Sequence, residues 1–427
     1  MIEYGKGQSA LRAIPQDERW KDKLRTDRNG NYQGDEANVL AALRHAPALK
    51  GAARFNQFSN KVEIGREVHW RDATVGEEWT DADDLDVMAW LQEQDIPIRA
   101  RNAIGEAVQR VARDNAYHPV RDYLNGLEWD GEPRLDHWLA DYLSADADSA
   151  YLAAVGRAFM VSAVARIYEP GCQADHVLVL EGGQGVGKSR TMQTLGHPWT
   201  TDSIPDLHSK DAALQLAGVW LVELAELAAL RRSEVEPTKA FITRRVDRYR
   251  PPYGKRAIDV PRQCVFIATT NESAYLRDRT GNRRFWPVRA NYVELDALAQ
   301  VRGQLWAEAV HLYRHGEPWH LTGERANAAE REQQRREYRT ELEQHVADYL
   351  GRLEAKGVSE VTTTDVFRHA LGLELPKDME KARRLGPEMV AAMGDLGWRR
   401  VGEKGRYPNR RVLYAKQSRN SRRKANG

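Results

Sequence analysis

The spacing of apolar residues divides this 427-residue chain into three stretches and a tail. In the first, residues 1–170, apolar positions recur mainly at helical spacing. Residues 1 to about 35 are polar and rich in Asp, Arg, Asn and Gly, and read as a loose leader or a short substrate-contacting segment. A short helix is predicted over 38–43. Val62, Ile64, Val68 and Trp70 alternate between turn residues, which predicts a β-hairpin within 55–70. Thr80 and the aspartates after it cap a helix carrying Leu85, Met88, Trp90 and Leu91. Ile104, Val108 and Val111 share one face of another helix, and 134–143 and 150–167 read as two more. The whole is expected to be a mainly helical accessory region.

The second stretch, 171–325, has a different rhythm. Short unbroken apolar runs at 177–180, 219–222 and 265–270 alternate with helical segments at 210–217 and up to 238–243. Strands buried on both faces and alternating with helices predict an α/β fold with a parallel sheet. The third stretch, 326–415, reads as a charged helix over 327–355, two short helices, and a hairpin whose arms begin near Trp398 and Arg411. Helices followed by a basic hairpin suggest a small winged-helix module. Residues 416–427 are a basic tail, expected to be disordered.

The run Val177–Leu180 leads into Gly182-Gly183-Gln184-Gly185-Val186-Gly187-Lys188-Ser189, a G-x-x-x-x-G-K-S loop. Glycines let backbone N–H groups wrap phosphate oxygens, Lys188 can reach the β- and γ-phosphates, and the Ser189 hydroxyl can ligate Mg²⁺. A helix starting near Lys188 would add its positive dipole end. The loop implies a P-loop nucleoside triphosphatase with ATP and Mg²⁺ as its ligands. A chance glycine-rich turn is the alternative, and the strand in front of the loop argues against it.

Composition narrows the class. The chain is 41% hydrophobic and 30% charged, the balance of a water-exposed globular protein. No run of about eighteen apolar residues suggests a membrane helix, and the first thirty residues show no signal pattern, so a cytoplasmic protein without a membrane partner is expected. The two cysteines, Cys172 and Cys264, form no disulfide or metal framework. His118, His137 and His176 lack metal-ligand spacing and read as structural. The net charge of only +2 hides local basic patches. Residues 239–262 hold eight lysines and arginines against two aspartates, and 403–427 hold nine against one glutamate. Such patches suit a polyanion, and solvated arms are the plainer alternative.

A triphosphatase also needs an acid for Mg²⁺ and a group that aims the attacking water. Glu223 and Glu226 follow the run 219–222, where the carboxyl ends of parallel strands face ligands. One is expected to bind Mg²⁺ and the other to orient water. Asn271, at the tip of the 265–270 strand, can bond the γ-phosphate or the water. Arg283 and Arg284, presented by a Gly-Asn turn, can stabilise the transferring phosphoryl from a neighbouring subunit; an arginine stacked on Trp286 or paired with Asp278 is the structural alternative. Between the acids and Asn271, residues 243–260 predict a basic hairpin. Arg244, Arg245, Arg248, Arg250, Lys255 and Arg256 are expected to grip strand phosphates, and Tyr249 and Tyr253 to stack on bases.

Several motifs in one order carry a resemblance: Tyr117-His-Pro-Val-Arg-Asp-Tyr-Leu, Trp129-Asp-Gly-x-Pro-Arg134, Pro170-Gly-Cys, the loop 182–189, Glu223-Leu-Ala-Glu226-Leu, Lys239-Ala-Phe, Asp247-Arg-Tyr-Arg-Pro-Pro-Tyr-Gly, and Thr280-Gly-Asn-Arg-Arg-Phe-Trp-Pro. Over roughly 115–320 the chain resembles the virulence-associated protein E family. That family is similar to the superfamily 3 helicases of the AAA+ class, including primase-helicases of phages and mobile elements. The resemblance implies an ATP-dependent DNA helicase, stimulated by nucleic acid and assembled as a ring, expectedly a hexamer, on single-stranded or forked DNA. It puts 182–189 at Walker A, Glu223 and Glu226 at Walker B, Asn271 at the sensor, Arg283 or Arg284 at the arginine finger, and Lys239 with the 244–256 hairpin at the DNA-tracking loop. Leu224 stands where a second adjacent acid is usual. Residues 1–115 carry no carboxylate motifs on strands, so a primase partner is expected to be a separate polypeptide. Two other readings stay open: an ATP-gated DNA-binding regulatory or assembly factor without unwinding, and a P-loop small-molecule kinase.

Overall fold

The structure is a computed structural model, and it describes residues 18–202, 212–226, 232–250, 256–276, 281–404 and 411–416. The chain forms two compact units: residues up to 273 together with 281–334, and residues 274–276 together with 335–416.

The first unit opens with a 3-10 turn at Glu18–Lys23, then α1 (Glu36–His45), β1 (Ala53–Asn56), β2 (Lys61–Ile64), α2 (Asp81–Glu93), α3 (Arg101–Asp114) and β3 (Ala116–Tyr117). The expected hairpin is present: β1 and β2 pair antiparallel, with Phe55 opposite Val62, and β3 adds to β1 in parallel. Thr80 caps α2 through Asp83, whose carboxylate accepts from the Thr80 N–H at 2.8 Å and hydroxyl at 2.9 Å. Val39, Leu43, Val87, Leu91, Ile104 and Val108 form one core, and Trp20 packs tilted against Trp90 with centroids 5.7 Å apart. Part of the expected loose leader is therefore anchored; residues 1–17 lie outside the described residues. Leu85, expected on the apolar face of α2, is exposed.

Helices α4 (Pro119–Asn125), α5 (Trp138–Leu143) and α6 (Ser149–Tyr168) follow. α6 corrects the expectation that no segment is apolar enough to cross a membrane. It is 20 residues long with a mean hydropathy of 1.4, and 83% of that window is buried in protein. It packs on the helix Leu295–Arg314 and on strands of the sheet described next, so its apolar surface is covered by protein. Its core residues are continuous with those of that sheet, and the expected boundary at 170/171 falls inside one hydrophobic core.

The rest of the unit runs β4 (Val177–Glu181), α7 (Lys188–Gly196), β5 (Thr200–Thr201), α8 (Ala212–Gln215), β6 (Leu221–Leu224), α9 (Arg232–Thr243), β7 (Val246–Tyr249), β8 (Ile258–Pro261), β9 (Val265–Thr270), β10 (Phe285–Arg289), α10 (Leu295–Arg314) and α11 (Gly323–Arg335). Five of these strands make a parallel sheet in the order β10-β4-β9-β6-β5, as an α/β fold requires. All residues of β4, β6 and β9 are buried, which is why they read as unbroken apolar runs. β6 begins two residues later than expected. Val219 N–H closes a turn onto Leu216 O at 3.2 Å, so pairing starts at Leu221 and Glu223 lies within the strand. β10 and the short β5 were not foreseen.

The second unit contains α12 (Glu341–Ala355), β11 (Glu360–Thr362), α13 (Thr363–His369), α14 (Met379–Asp395), β12 (Trp398–Lys404) and β13 (Arg411–Lys416). The single helix expected over 327–355 is two, because Thr340 caps a new start: its N–H donates to Glu343 Oε2 at 3.0 Å and its Oγ1 accepts from Glu343 N–H at 3.2 Å. β12 and β13 form the expected hairpin, and β11 adds to its β13 edge. Val346, Leu350, Met389, Met393 and Trp398 form this unit's core. Lys416 ends β13, and the basic tail beyond it lies outside the described residues.

Ile267, fully buried in the central strand, gives a direct test. Ile267→Ala is expected to cost about 2–5 kcal/mol, whereas Leu85→Ala at the exposed position stays within about 0.5 kcal/mol. Urea unfolding followed by tryptophan fluorescence measures both.

Candidate functional site

The sheet order sets the site. The connection leaving β4 leads to β5 at one edge, while the connection leaving β9 leads to β10 at the other. The loops at the carboxyl ends of the neighbours β4 and β9 therefore diverge, the arrangement that opens a ligand crevice in an α/β sheet. In register, Glu181 stands opposite Thr270 and Leu224 opposite Ala268. Three strand ends, those of β4, β9 and β6, are thus brought level.

The glycine-rich loop joins β4 to α7. Gly182 N–H donates to Thr270 O at 3.2 Å, and a Cβ at Gly182 would meet Ala290 O at 2.4 Å. Only glycine lets the loop leave the sheet so close to its neighbour. Gly187, at φ +107°, caps α7, so the helix begins at Lys188. The Lys188 ammonium donates to Gly182 O and Gly183 O, both at 2.7 Å, and to Asn271 Oδ1 at 2.9 Å. Burial lowers its pKa below the ordinary lysine value, and the charge of Glu223 opposes that shift.

Glu223 is buried at the centre of this cluster. Its Oε1 accepts from Ser189 Oγ at 2.7 Å and from Thr269 Oγ1 at 2.8 Å. The loop, the acid strand and the neighbouring strand tip expected to cooperate do meet. Thr269 was missed as a site residue, although it stands in the Thr269-Thr270-Asn271 tip. Glu226 is separate: it is exposed, in the turn after β6, with the left-handed φ of +52° that non-glycine residues rarely adopt. Such backbone strain persists where surrounding structure enforces it.

Arg283 and Arg284 lie in a 3-10 turn, Asn282–Arg284, that enters β10. They are not equivalent. Arg284 is partly buried, and its Nε donates to Thr243 Oγ1 at 3.1 Å. Arg283 is exposed. Neither bonds to Lys188, Ser189 or Glu223 among the described residues.

The basic hairpin is real, with β7 and β8 antiparallel and Arg248 opposite Asp259. Its pleat sorts the side chains. Val246, Arg248 and Arg250 are exposed, while Asp247 and Tyr249 are buried. Arg244 and Arg256 are also exposed. Arg245 Nε is tied to Gly171 O at 2.7 Å. Two expected nucleic-acid contacts are corrected. Tyr249 is buried, because strand alternation puts it on the same face as Asp247, so its ring is no stacking platform. Lys239 is buried on α9, its side chain 3% exposed and paired with Glu236 at 3.2 Å. Tyr253 and Lys255 lie outside the described residues.

What holds the hairpin was not foreseen. Asp247 forms a bidentate pair with the buried Arg262, with Nε to Oδ2 at 2.8 Å and Nη2 to Oδ1 at 2.5 Å. Arg262 also donates to Phe241 O at the end of α9 and lies 4.6 Å from the Phe241 ring centre. In the sequence Arg262 counts only among the basic residues of 239–262, and Asp247 only there and as the start of a motif. The clue available was the alternation that puts Asp247 on the inner face.

A buried pair is costly to break and cheap to replace. Arg262→Ala is expected to cost about 3–5 kcal/mol, while the double variant Asp247→Leu/Arg262→Met falls well short of that. Thermal unfolding of the three proteins checks it; equal losses would show that the pair does not anchor the hairpin.

The family model of the virulence-associated protein E-like domain matches residues 124–338, about half of the chain, and the chain belongs to that family. No curated protein matches it. Among solved structures, the A-form apo structure of the NrS-1 C-terminal region aligns over 86% of this chain and 96% of that one, at 12% identity and a TM-score of 0.47. The apo structure of NrS-1 C-terminal region (305-718) aligns with the same values. Both lie below the level at which a shared fold follows.

Proposed function

We propose that this member of the virulence-associated protein E-like family is an ATP-dependent DNA helicase of the P-loop, AAA+ superfamily 3 type. It serves replication of a phage, prophage or other mobile element. One observation carries the reading: Lys188 reaches Asn271 at 2.9 Å while Ser189 reaches Glu223 at 2.7 Å. A phosphate-loop cation, a Mg²⁺-type hydroxyl–carboxylate pair and a sensor amide are thereby adjacent.

The residues suit a triphosphate. The loop backbone is free of Cβ obstruction at Gly182, and its N–H groups with the α7 start offer an anion site. Lys188 exchanges its loop carbonyls for β- and γ-phosphate oxygens. Ser189 and Glu223 would hold Mg²⁺, which would supply positive charge to the phosphate oxygens. Glu226, held exposed beyond the strand, orients the attacking water, and Asn271 bonds the γ-phosphate. Arg283, exposed where Arg284 is tied to Thr243, is the finger offered to the adjoining subunit of a ring. The outer strip of the hairpin, Arg244, Arg248, Arg250 and Arg256, contacts the phosphates of a DNA strand, which makes binding fall steeply with salt. The α13, α14 and β12–β13 arrangement supports a winged helix that holds duplex DNA.

Turnover is expected to rise with single-stranded DNA, and a forked duplex to be unwound with ATP. An ATPase that displaces no strand from forks of either polarity would leave a DNA-binding regulatory factor instead. Lys188→Ala should lower turnover by about 100-fold or more. If Arg283 acts across subunits, Lys188→Ala and Arg283→Ala proteins, each inactive alone, regain turnover when mixed; no recovery on mixing refutes the shared site.

A further inference from the structure

We propose that Asp175, His176 and His320 form a binding site for a transition-metal dication, with zinc the best fit. The site stands independently of the nucleotide reading. Each residue offers one ligand atom, and these atoms lie within 4.8 Å of one another. Asp175 and His176 immediately precede β4, and His320 lies in the connection from α10 to α11. The cluster is therefore at the amino end of β4, whereas the phosphate loop is at its carboxyl end.

The surroundings of His176 are those of a prepared ligand. Its Nε2 lies 2.9 Å from Ser162 Oγ, and that hydroxyl spends its only proton on Phe159 O at 2.7 Å. Ser162 can then only accept, so Nε2 carries the ring proton and Nδ1 keeps its lone pair. Fixing the tautomer through the second nitrogen is how outer partners prepare metal-bound imidazoles. The ring is also held in plane by Trp286, stacked at 3.8 Å and 14°.

The other two ligands sit on fastened loops. Trp319, beside His320, donates its indole N–H to Gln173 O at 2.8 Å, two residues before Asp175. Ligand atoms about 2.0–2.1 Å from one zinc stand roughly 3.3 Å apart in a tetrahedron. The ligand atoms, within 4.8 Å of one another, must draw closer for binding, and the exposed His320 side chain has room to turn. Two imidazoles and one carboxylate favour zinc over magnesium, which prefers oxygen ligands and keeps its waters. A bound ion would pin the α10–α11 connection to the sheet.

The test is titration of the metal-stripped full-length protein with Zn²⁺ alone, read by calorimetry, with Co²⁺ absorption as the geometry readout. One equivalent should bind, with a rise in melting temperature. His320→Ala and Asp175→Asn, at surface-accessible positions, should each weaken binding by roughly tenfold or more. Ser162→Ala should weaken it through loss of the tautomer lock. His345→Ala, in the second unit, should bind as the unaltered protein does. Absence of a one-equivalent site, or unaltered binding in folded His320→Ala and Asp175→Asn proteins, overturns the proposal.

Discussion

A buried carboxylate organises this molecule. Glu223 lies inside a strand whose other residues are apolar and buried, where an unpaired negative charge would be costly. Two hydroxyls, Ser189 from the first helical turn after the glycine-rich loop and Thr269 from the neighbouring strand, donate to one of its oxygens. That three-way junction ties loop, acid strand and adjacent strand together. Lys188, one residue before Ser189, is thereby directed towards Asn271, two residues beyond Thr269. The register of the parallel sheet makes the junction possible, because it sets the ends of β4, β9 and β6 level.

A second buried charge organises the other side of the sheet's connections. Arg262 and Asp247 neutralise each other at the root of the hairpin, and Arg262 reaches the end of α9 through Phe241 O. The same helix end receives Arg284, whose Nε bonds Thr243, while Thr243 Oγ1 donates back to Lys239 O at 2.7 Å. Residues 239–243 thus join the arginine turn before β10 to the root of the basic hairpin. Lys239 belongs to this inner scaffold, which is why its charge is turned away from solvent.

Local signals made much of this legible. Unbroken apolar runs marked β4 and β9, because a strand covered on both faces has no polar side to show. The glycine-rich turn between β4 and α7 was legible because glycines after an apolar run mark a tight exit from a strand into a helix. The capping threonine at Thr80 and the basic hairpin were legible from spacing. The break at Thr340 was hidden by a polar, helix-favouring sequence on both sides, and β10 was hidden behind the Arg-Arg-Phe-Trp-Pro motif, whose proline argues against an inner strand. At the sheet edge, Pro287 has no need of the missing N–H on its outer side.

By itself the sequence determined the α/β class of the middle stretch, the start of α7 at Lys188, the basic character of the hairpin and the family to which the chain belongs. The first three follow from local periodicity and backbone chemistry, and the family from the order of its motifs. Tertiary structure decided which charges face solvent and which are fastened inside the scaffold. Arg283 and Arg284 are adjacent in sequence but one is exposed and the other fastened. Arg248 and Asp247 lie on opposite faces of one strand, and Tyr249 is inside. His176 and His320, 144 positions apart in the chain, come together only because the α10–α11 connection returns to the start of β4. Which charged side chain is fastened to which partner is a property of the packed sheet, and local spacing does not name the partner.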